Sequence, residues 1–267
     1  MSTSSPKSGS RRAIPTVLIC GLPVGVLDYD TAVDCIFTWA REGGSVRAVE
    51  AANTHVAALT RHDREFGAAM ARFDLVCPDG MPLVWAANHA LPEEKRMTDR
   101  VYGPTLMLRA LDADNENGEI RHFFLGGSET TLEKLGERFS GRFVGSYSPP
   151  FGSWPEDEFE RICDKIRAVN ANVIWVGLGC TKQEKWIADN KDDLPPGVYL
   201  GVGAAFAFHA GEVPQAPHFL QRIGMEWLYR MAMEPRRLFR RYMVHNTLFI
   251  RYWLSDTIRG DDPVSGD

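Results

Sequence analysis

The chain has 267 residues, of which 44% are hydrophobic and 24% charged, and its formal net charge is −5. This composition can form a sizeable core and excludes a disordered chain, while the overall acidity argues against broad nucleic-acid binding. No apolar run approaches the roughly 18 residues that a transmembrane helix requires. The five cysteines are scattered and never spaced as CxxC, which argues against a disulfide framework and a structural zinc site and fits the cytosol.

Short apolar runs alternate with helical patterns from Ile14 onward, after a polar, serine-rich stretch at residues 1–12 that we expect to be disordered. The predicted strands are Thr16–Cys20, Val46–Ala51, Leu75–Cys77, His122–Leu125, Phe143–Tyr147, Val173–Val176 and Val198–Val202. The first of them is expected to be a buried strand. This alternation predicts an α/β fold: a Rossmann-like, mostly parallel sheet with helices on both faces and ligand sites at the carboxyl ends of the strands.

Helical patterns lie between these strands. The clearest are Thr31–Arg41, Thr131–Phe139 and Glu156–Val169. Thr130 and Glu133 have the spacing of a capping box. A further helical pattern follows Pro217, where strand signals end, and we interpret it as a C-terminal helical appendage. The predicted divisions are a disordered N-terminus (1–12), an α/β catalytic domain (13–217), the appendage (218–255) and a flexible acidic tail (256–267).

The appendage also differs in charge. Residues 218–251 carry a net charge of +5 and no lysine, whereas residues 1–217 carry −7 and residues 252–267 carry −3. The seven arginines of this stretch are Arg222, Arg230, Arg236, Arg237, Arg240, Arg241 and Arg251. An arginine-rich end on an acidic body indicates an anionic partner, because the guanidinium group binds phosphate or carboxylate with paired hydrogen bonds.

Two polar segments follow predicted strands and are candidates for a site. Asn53 follows the second strand and can bind a sugar or a uracil edge, but Asn at this place is also an ordinary helix cap, and the spacing alone favours capping. Asp79 stands between Pro78 and Gly80, just before a helical pattern. It is either a cap and turn residue or a carboxylate held rigidly where a general base is needed; the sequence does not decide between them.

Two glycine-rich segments also follow strands. Gly177-Leu178-Gly179 and Gly201-Val202-Gly203 each precede a helix start, and such turns let a diphosphate approach backbone N–H groups. Each signal is weak by itself. The DxD triplets Asp28–Asp30 and Asp112–Asp114 could hold a metal, but a cap and a solvated turn are the favoured interpretations, and the histidines show no metal-ligand spacing.

Taken together, these segments resemble the WecG/TagA/CpsF family of inverting glycosyltransferases. The stretches that carry the resemblance are Asn53, PDGMPLVW (78–85), DRVYGPTLM (99–107), LGGSETTLEKL (125–135), GLGCTKQEKWI (177–187), GVGAAF (201–206), AGEVPQAP (210–217) and GMEWLYRMAMEPRRLFRRY (224–242). They extend over nearly all of residues 17–253. The PDGMPLVW motif is more similar to that of members linked to exopolysaccharide synthesis than to that of the teichoic-acid enzymes.

The resemblance implies transfer of a sugar from a UDP-sugar to a polyprenyl-diphosphate-linked sugar, without cofactor or required metal. It implies that Asp79 is the general base. The same motifs imply that Asn53, Arg100 and Gln183 bind substrate. The family's C-terminal arginines are thought to bind the diphosphate, and we choose Arg230 and Arg237 for this role. Gly179 and Gly203 are assigned to substrate binding because their turns suit a diphosphate. It further implies a cytoplasmic protein attached to the inner face of the cell membrane through its C-terminal helices. The sequence does not determine whether the chain forms a homo-oligomer.

The appendage carries apolar side chains among its arginines, as a membrane-docking element requires. They are Trp227, Leu228, Met231, Phe239, Tyr242, Phe249 and Trp253. Periodicity alone is equally compatible with helices that pack on the body; the charge distribution and the resemblance favour the membrane.

The sequence departs from the family pattern at Ala51, Thr181, Ala207 and Gln215. The identity of the donor sugar is therefore not determined. Two alternatives remain. One is a membrane-peripheral assembly factor without turnover. The other is a Rossmann-type oxidoreductase, against which stands the absence of GxGxxG after Cys20, where the chain reads GLPVGVLD.

Overall fold

A parallel sheet of six strands forms the centre of the computed structural model, which describes residues 14–113, 118–259 and 264–265. In their order across the sheet, the strands are β4 (Leu75–Pro78), β3 (Val46–Ala52), β8 (Gly197–Gly201), β7 (Val173–Gly177), β5 (His122–Gly126) and β6 (Gly145–Tyr147). Each neighbouring pair is parallel. The α/β prediction is confirmed, and since all six strands run the same way, their carboxyl ends meet at one edge.

Helices cover both faces of this sheet. They are α1 (Tyr29–Glu42), α2 (Thr54–His62), α3 (Arg64–Met70), α4 (Met81–Ala90), α5 (Gly103–Asp112), α6 (Glu129–Arg138), α7 (Glu158–Ala168), α8 (Lys182–Asn190) and α9 (Ala205–His209), with a 3-10 turn at Glu93–Lys95. Alternate residues of one strand enter opposite cores: Trp175 packs with the α1, α5 and α6 side, whereas Ile174 and Val176 pack with α7 and α8. Strands buried on both faces explain the continuous apolar runs of the sequence.

The first predicted strand is buried, as expected, but it does not belong to the parallel sheet. β1 (Thr16–Ile19) forms an antiparallel hairpin with β2 (Leu22–Gly25). The turn residues Cys20 and Gly21 have φ of 53° and 80°, as the two-residue turns that match strand twist require. The GLPVGVLD segment is therefore a hairpin and has none of the geometry of a dinucleotide-binding loop.

One predicted helix cap is also wrong. Helix α6 begins after Ser128, whose hydroxyl accepts a hydrogen bond from the Thr131 backbone N–H at 3.0 Å. Thr130 lies within the first turn. The capping-box spacing identified the correct segment but placed the cap two residues too late.

Three further helices follow Pro217. They are α10 (His218–Arg222), α11 (Glu226–Met233) and α12 (Pro235–Arg259). Helix α12 packs along α2, and its Phe249 is buried in the core formed by the hairpin, α2, α3 and α4. Of the apolar side chains expected at a membrane, Phe249 is thus part of the protein interior, while Leu228 and Phe239 are exposed.

The chain end departs from the prediction of a flexible tail. Residues 256–259 form the last turn of α12, where Asp256 pairs with Arg61 of α2, and Val264–Ser265 (β9) pairs antiparallel with β1. Residues 1–12, expected to be disordered, lie outside the described residues. None of the described helices is both long and apolar enough to cross a membrane.

Candidate functional site

A cleft of about 660 Å³ lies at the carboxyl edge of the sheet, in the size range of small-molecule sites. Residues that follow each of the six strands line it, including Asn53, Asp79, Gly127, Gly179 and Gly203. A further wall is formed by side chains of α11 and α12. The expectation that ligand-binding residues gather at this edge therefore agrees with the shape of the molecule.

Asp79 does not act as a helix cap. The cap residue of α4 is Gly80, and no side chain caps that helix. The Asp79 carboxylate instead accepts a hydrogen bond of 2.6 Å from the backbone N–H of Gly103, at the N-terminus of α5. Its own N–H is fixed to the carbonyl of Ala52 at 2.8 Å. A carboxylate on the first residue after a buried strand is thus held rigidly at the cleft.

The proton affinity of Asp79 suits acid–base chemistry. Burial raises its pKa to about 6, against the opposing effects of the Arg100 charge and the Gly103 hydrogen bond. At pH 7 the group is mostly ionised, yet it binds a proton more readily than a solvated carboxylate. This is the balance that a general base needs near neutral pH.

Asn53 caps a helix and also lines the cleft. Its side-chain oxygen accepts hydrogen bonds from the backbone N–H groups of His55 at 3.0 Å and Val56 at 3.4 Å, so it caps α2. The same side chain lines the cleft beside Asp79. Capping fixes its position, and the cleft gives it access to a ligand.

The two glycine turns open directly onto the cleft. Gly179 and Gly203 have φ of 82° and 55°, values that disfavour residues with a side chain. A Cβ atom at either position would meet no described atom within 4 Å. The backbone of both turns is therefore accessible to a ligand.

Gln183 ties the two turns together. Its side-chain oxygen accepts a hydrogen bond from the Gly203 N–H at 3.3 Å, and its amide donates to the Glu50 carboxylate at 3.3 Å. It is only 1% exposed. Gln183 thus lines the cleft and stabilises its floor through the hydrogen bonds to Gly203 and Glu50.

A buried carboxyl pair under the floor was missed by sequence reasoning. Burial is the main cause that raises the pKa of Glu50 and of Glu184, and the nearby Glu184 charge raises that of Glu50 further. Two buried carboxyl groups that repel each other favour a shared proton. The signal was available, because Glu50 interrupts the apolar strand VRAVEAA.

Arg100 lies in a small recess next to the cleft and not in the cleft itself. Its guanidinium pairs with Glu226 of α11 at 2.7 Å and donates to Gln221 at 2.9 Å. It also lies 4.1 Å from the centre of the Tyr102 ring, and the Tyr102 hydroxyl donates to Glu226 at 2.8 Å. Arg100 therefore joins the α/β body to the C-terminal helices, beside Asp79.

The C-terminal arginines reach the cleft at two positions. Arg230 and Arg241 line it, and the Nε atom of each is buried without a hydrogen-bond partner among the described residues. Arg230 was expected here and Arg241 was not. Arg237, the other expected residue, lies on α12, but its side chain is outside the described part of the structure.

Aromatic residues form the outer rim of the cleft. Phe151 is 90% exposed, and the Lys182 ammonium lies 4.2 Å from the Trp154 ring centre. All three line the cleft. Nothing in their sequence pattern singled them out.

The described aspartates Asp28 and Asp112 of the two DxD triplets have partners within the protein. Asp28 caps α1 by accepting from the Thr31 N–H at 2.9 Å, as expected. Asp112 ends α5 and pairs with Arg142, and Asp114 lies outside the described part of the chain. No group of three or more potential metal ligands occurs among the residues described.

Comparison with known protein families gives one match over most of the chain. Residues 17–262 match the family model described as the Glycosyl transferase WecG/TagA/CpsF family. The match includes the six strands of the parallel sheet, the cleft residues and the three C-terminal helices.

Proposed function

The chain belongs to the WecG/TagA/CpsF family of glycosyltransferases, and from this premise we propose its reaction. A sugar moves from a UDP-sugar to a sugar that is linked by diphosphate to a polyprenyl lipid, with inversion at the anomeric carbon. The product serves the synthesis of a cell-surface or extracellular polysaccharide. No metal or organic cofactor is required.

One observation carries this proposal. A single cleft brings together the Asp79 carboxylate, held by the sheet, and the unpartnered Nε groups of Arg230 and Arg241, supplied by the C-terminal helices. Inverting transfer requires a base for the acceptor and positive charge for the departing diphosphate. The cleft offers both.

In the proposed step, Asp79 takes the proton of the acceptor hydroxyl. The hydroxyl oxygen forms a bond to the anomeric carbon on the face opposite to the nucleotide. The bond from that carbon to the β-phosphate oxygen breaks, and UDP leaves with the electron pair. A base acting within hydrogen-bond distance contributes about 10²- to 10⁴-fold to such a transfer.

The charge that develops on UDP requires preorganised donors. We assign this role to the backbone N–H groups at the Gly179 turn and to the guanidinium groups of Arg230 and Arg241. The Gly203 turn also lines the cleft, but the N–H of Gly203 already donates to Gln183. Donors already in place act more strongly in a partly dry cleft than in water, because they do not have to reorganise during the reaction. Asn53 is assigned to the substrate beside Asp79.

The acceptor resides in a membrane, so the protein must reach that surface. We propose that the C-terminal helices dock on the inner face of the cell membrane. Exposed apolar side chains there include Phe219, Ile223 and Phe239, and the exposed Arg236 and Arg240 lie on the same segment. Apolar insertion combined with attraction to anionic lipids is the usual basis of peripheral attachment.

The test is turnover with defined substrates. The purified chain is incubated with a panel of UDP-sugars and a short-chain polyprenyl-diphosphate sugar, with and without EDTA, and products are identified by mass spectrometry. One UDP-sugar should give a product one sugar longer, at the same rate in EDTA. If UDP binds in calorimetry but no donor gives product, the chain is a non-catalytic assembly factor instead. If UDP does not bind either, the assignment of the cleft is wrong.

A further inference from the structure

A second cavity of about 460 Å³ lies between α4 and α12. The residues that line it are Thr54, Pro82, Trp85, Ala86, Trp227, Tyr242, Met243, Asn246, Thr247, Phe249, Ile250 and Trp253. None of these described lining residues is charged, in a segment otherwise rich in arginine. We refer to this cavity as the apolar groove.

The apolar groove is next to the candidate cleft. A narrow recess lies between the two, and it shares Thr54, Pro82, Trp227 and Tyr242 with the groove. The same recess shares Asn53, Asp79 and Arg230 with the cleft. The recess, with Asp79 and Arg230 in its lining, thus adjoins both the cleft and the apolar groove.

Close packing defines the walls of the groove. Gly224 has a φ of 69°, and a Cβ atom there would stand 2.7 Å from the Trp85 ring, so the absence of a side chain lets that ring form one wall. Across the groove, the Thr54 hydroxyl donates to the Asn246 side-chain oxygen at 2.7 Å and joins α2 to α12. The groove is thus a built feature of the joint between body and appendage.

Large apolar side chains remain exposed along this groove. Trp85, Met243 and Ile250 are 49%, 47% and 53% exposed. Apolar surface in water is unfavourable, and a concave, uncharged channel is the form of site that binds an apolar chain.

We propose that the apolar groove holds the first isoprene units of the lipid acceptor. The diphosphate of the acceptor then lies in the recess between the groove and the cleft, and the acceptor sugar places its hydroxyl at Asp79. The recess adjoins the cleft on one side and the apolar groove on the other, as the diphosphate of the acceptor joins its sugar to its isoprenoid chain. This inference rests on the proposed function, and it assigns recognition of the lipid to the protein in addition to the membrane.

The test compares acceptors that differ only in their lipid, in solution without detergent or vesicles. One acceptor carries a methyl group on the diphosphate and the other a farnesyl chain. For the unaltered protein, kcat/KM should rise about tenfold or more from methyl to farnesyl, because several methylene groups become buried. Met243→Asp and Ile250→Asp should remove most of this gain while leaving the rate with the methyl acceptor unchanged.

Val244→Asp is the matched control. Val244 is 44% exposed on the same helix but does not line the groove, so this variant should keep the farnesyl gain. If Val244→Asp loses the gain equally, general apolar contact and not the groove recognises the lipid. If all three variants keep the gain, the proposal is overturned.

A second measurement separates this proposal from the proposed function. Farnesyl diphosphate carrying a photoreactive diazirine is crosslinked to the intact chain, and the labelled residues are mapped by mass spectrometry. Labelling concentrated on the groove residues of α4 and α12 supports the groove even if no sugar is transferred. Transfer without chain-length dependence, and labelling spread over all exposed apolar residues, would refute the groove and leave the proposed function intact. A change from dimer to monomer in Met243→Asp would instead identify the groove as a contact between copies of the chain.

Discussion

The sheet edge and the C-terminal helices contribute to one cleft in opposite ways. At the sheet edge each polar group is already held: Asp79 by Gly103, Gln183 by Gly203 and Glu50, and Asn53 by the start of α2. On the helices, the Nε atoms of Arg230 and Arg241 have no described partner. Of the thirteen exposed large apolar residues in the described chain, ten follow residue 218.

The comparison shows that the sheet edge is the preorganised part of the site. The sheet edge is complete without a ligand, because its hydrogen bonds are made within the protein. The helices carry unsatisfied cations and exposed apolar surface, both of which an anionic lipid would satisfy. We therefore expect substitutions at the sheet edge to alter the chemical step, and substitutions on the helices to alter binding and leaving-group stabilisation.

The largest effect is expected at Asp79. Asp79→Asn should reduce transfer by about 10³-fold, because the amide cannot take the acceptor proton, and initial rates with saturating substrates measure this. A rate equal to that of the unaltered chain would remove the base assignment.

The same variant should not lose stability. The folded-state pKa of Asp79, about 6, is above the ordinary 3.8. Ionisation of this carboxyl group therefore lowers the free energy of unfolding. This loss of stability is fully present above pH 6 and disappears below pH 4. Asp79→Asn should therefore be more stable than the parent at pH 8, by at most about 3 kcal/mol. Denaturant unfolding at both pH values measures the difference, and a less stable variant at pH 8 would show that the carboxylate has a structural role.

Loss of either cleft arginine is expected to be the next largest effect. Arg230→Gln and Arg241→Gln should each lower kcat by about 10- to 10²-fold, because the developing charge on UDP loses one donor. Arg251→Gln is the control, since Arg251 is exposed on α12 and does not line the cleft. Equal rates for all three variants would place the diphosphate elsewhere.

A smaller effect is expected from pH. Since the base must be ionised, kcat/KM should fall below pH 6 and be about tenfold lower at pH 5 than on the plateau. Thermal unfolding over the same range is the control for loss of fold. A flat profile between pH 5 and 8 would contradict the raised pKa of Asp79.

The smallest effect on rate is expected at the joint between the two regions. Glu226→Gln leaves the buried Arg100 guanidinium without its ionic partner, and breaking a buried pair in this way costs about 3 kcal/mol or more. The C-terminal helices should become more sensitive to proteolysis, while the transfer rate falls only a few-fold. The exposed Glu133→Gln should leave the digestion pattern unchanged; if it does not, the effect is not specific to the joint.

Much of the fold could be predicted from the sequence, because buried parallel strands leave continuous apolar runs. The hairpin could not, since Thr16–Ile19 has the same apolar character whether it joins the main sheet or stands apart. The choice depends on the positive φ at Cys20 and Gly21, which is not encoded in hydrophobicity. Ser128 was overlooked as a cap because two further hydroxyl residues follow it closely.

The site was predictable where motif and strand end coincide. Asp79, Asn53, Gly179 and Gly203 all follow strands and all line the cleft. Arg241 was missed because composition alone does not reveal which face of a long arginine-rich helix meets the body. Arg100 was assigned to the substrate pocket, and only its pairing with Glu226 reveals the structural part of its role.

The wall that α11 and α12 contribute to the cleft affects how the nucleotide sugar reacts. A base with a pKa of about 6 can take a proton from water as well as from a sugar hydroxyl, so access of water to the cleft matters for the proposed reaction. Because Arg230 and Arg241 arrive only with these helices, a leaving group that lacks them departs slowly. In the proposed step, the release of UDP therefore depends on the same helices that form this wall of the cleft.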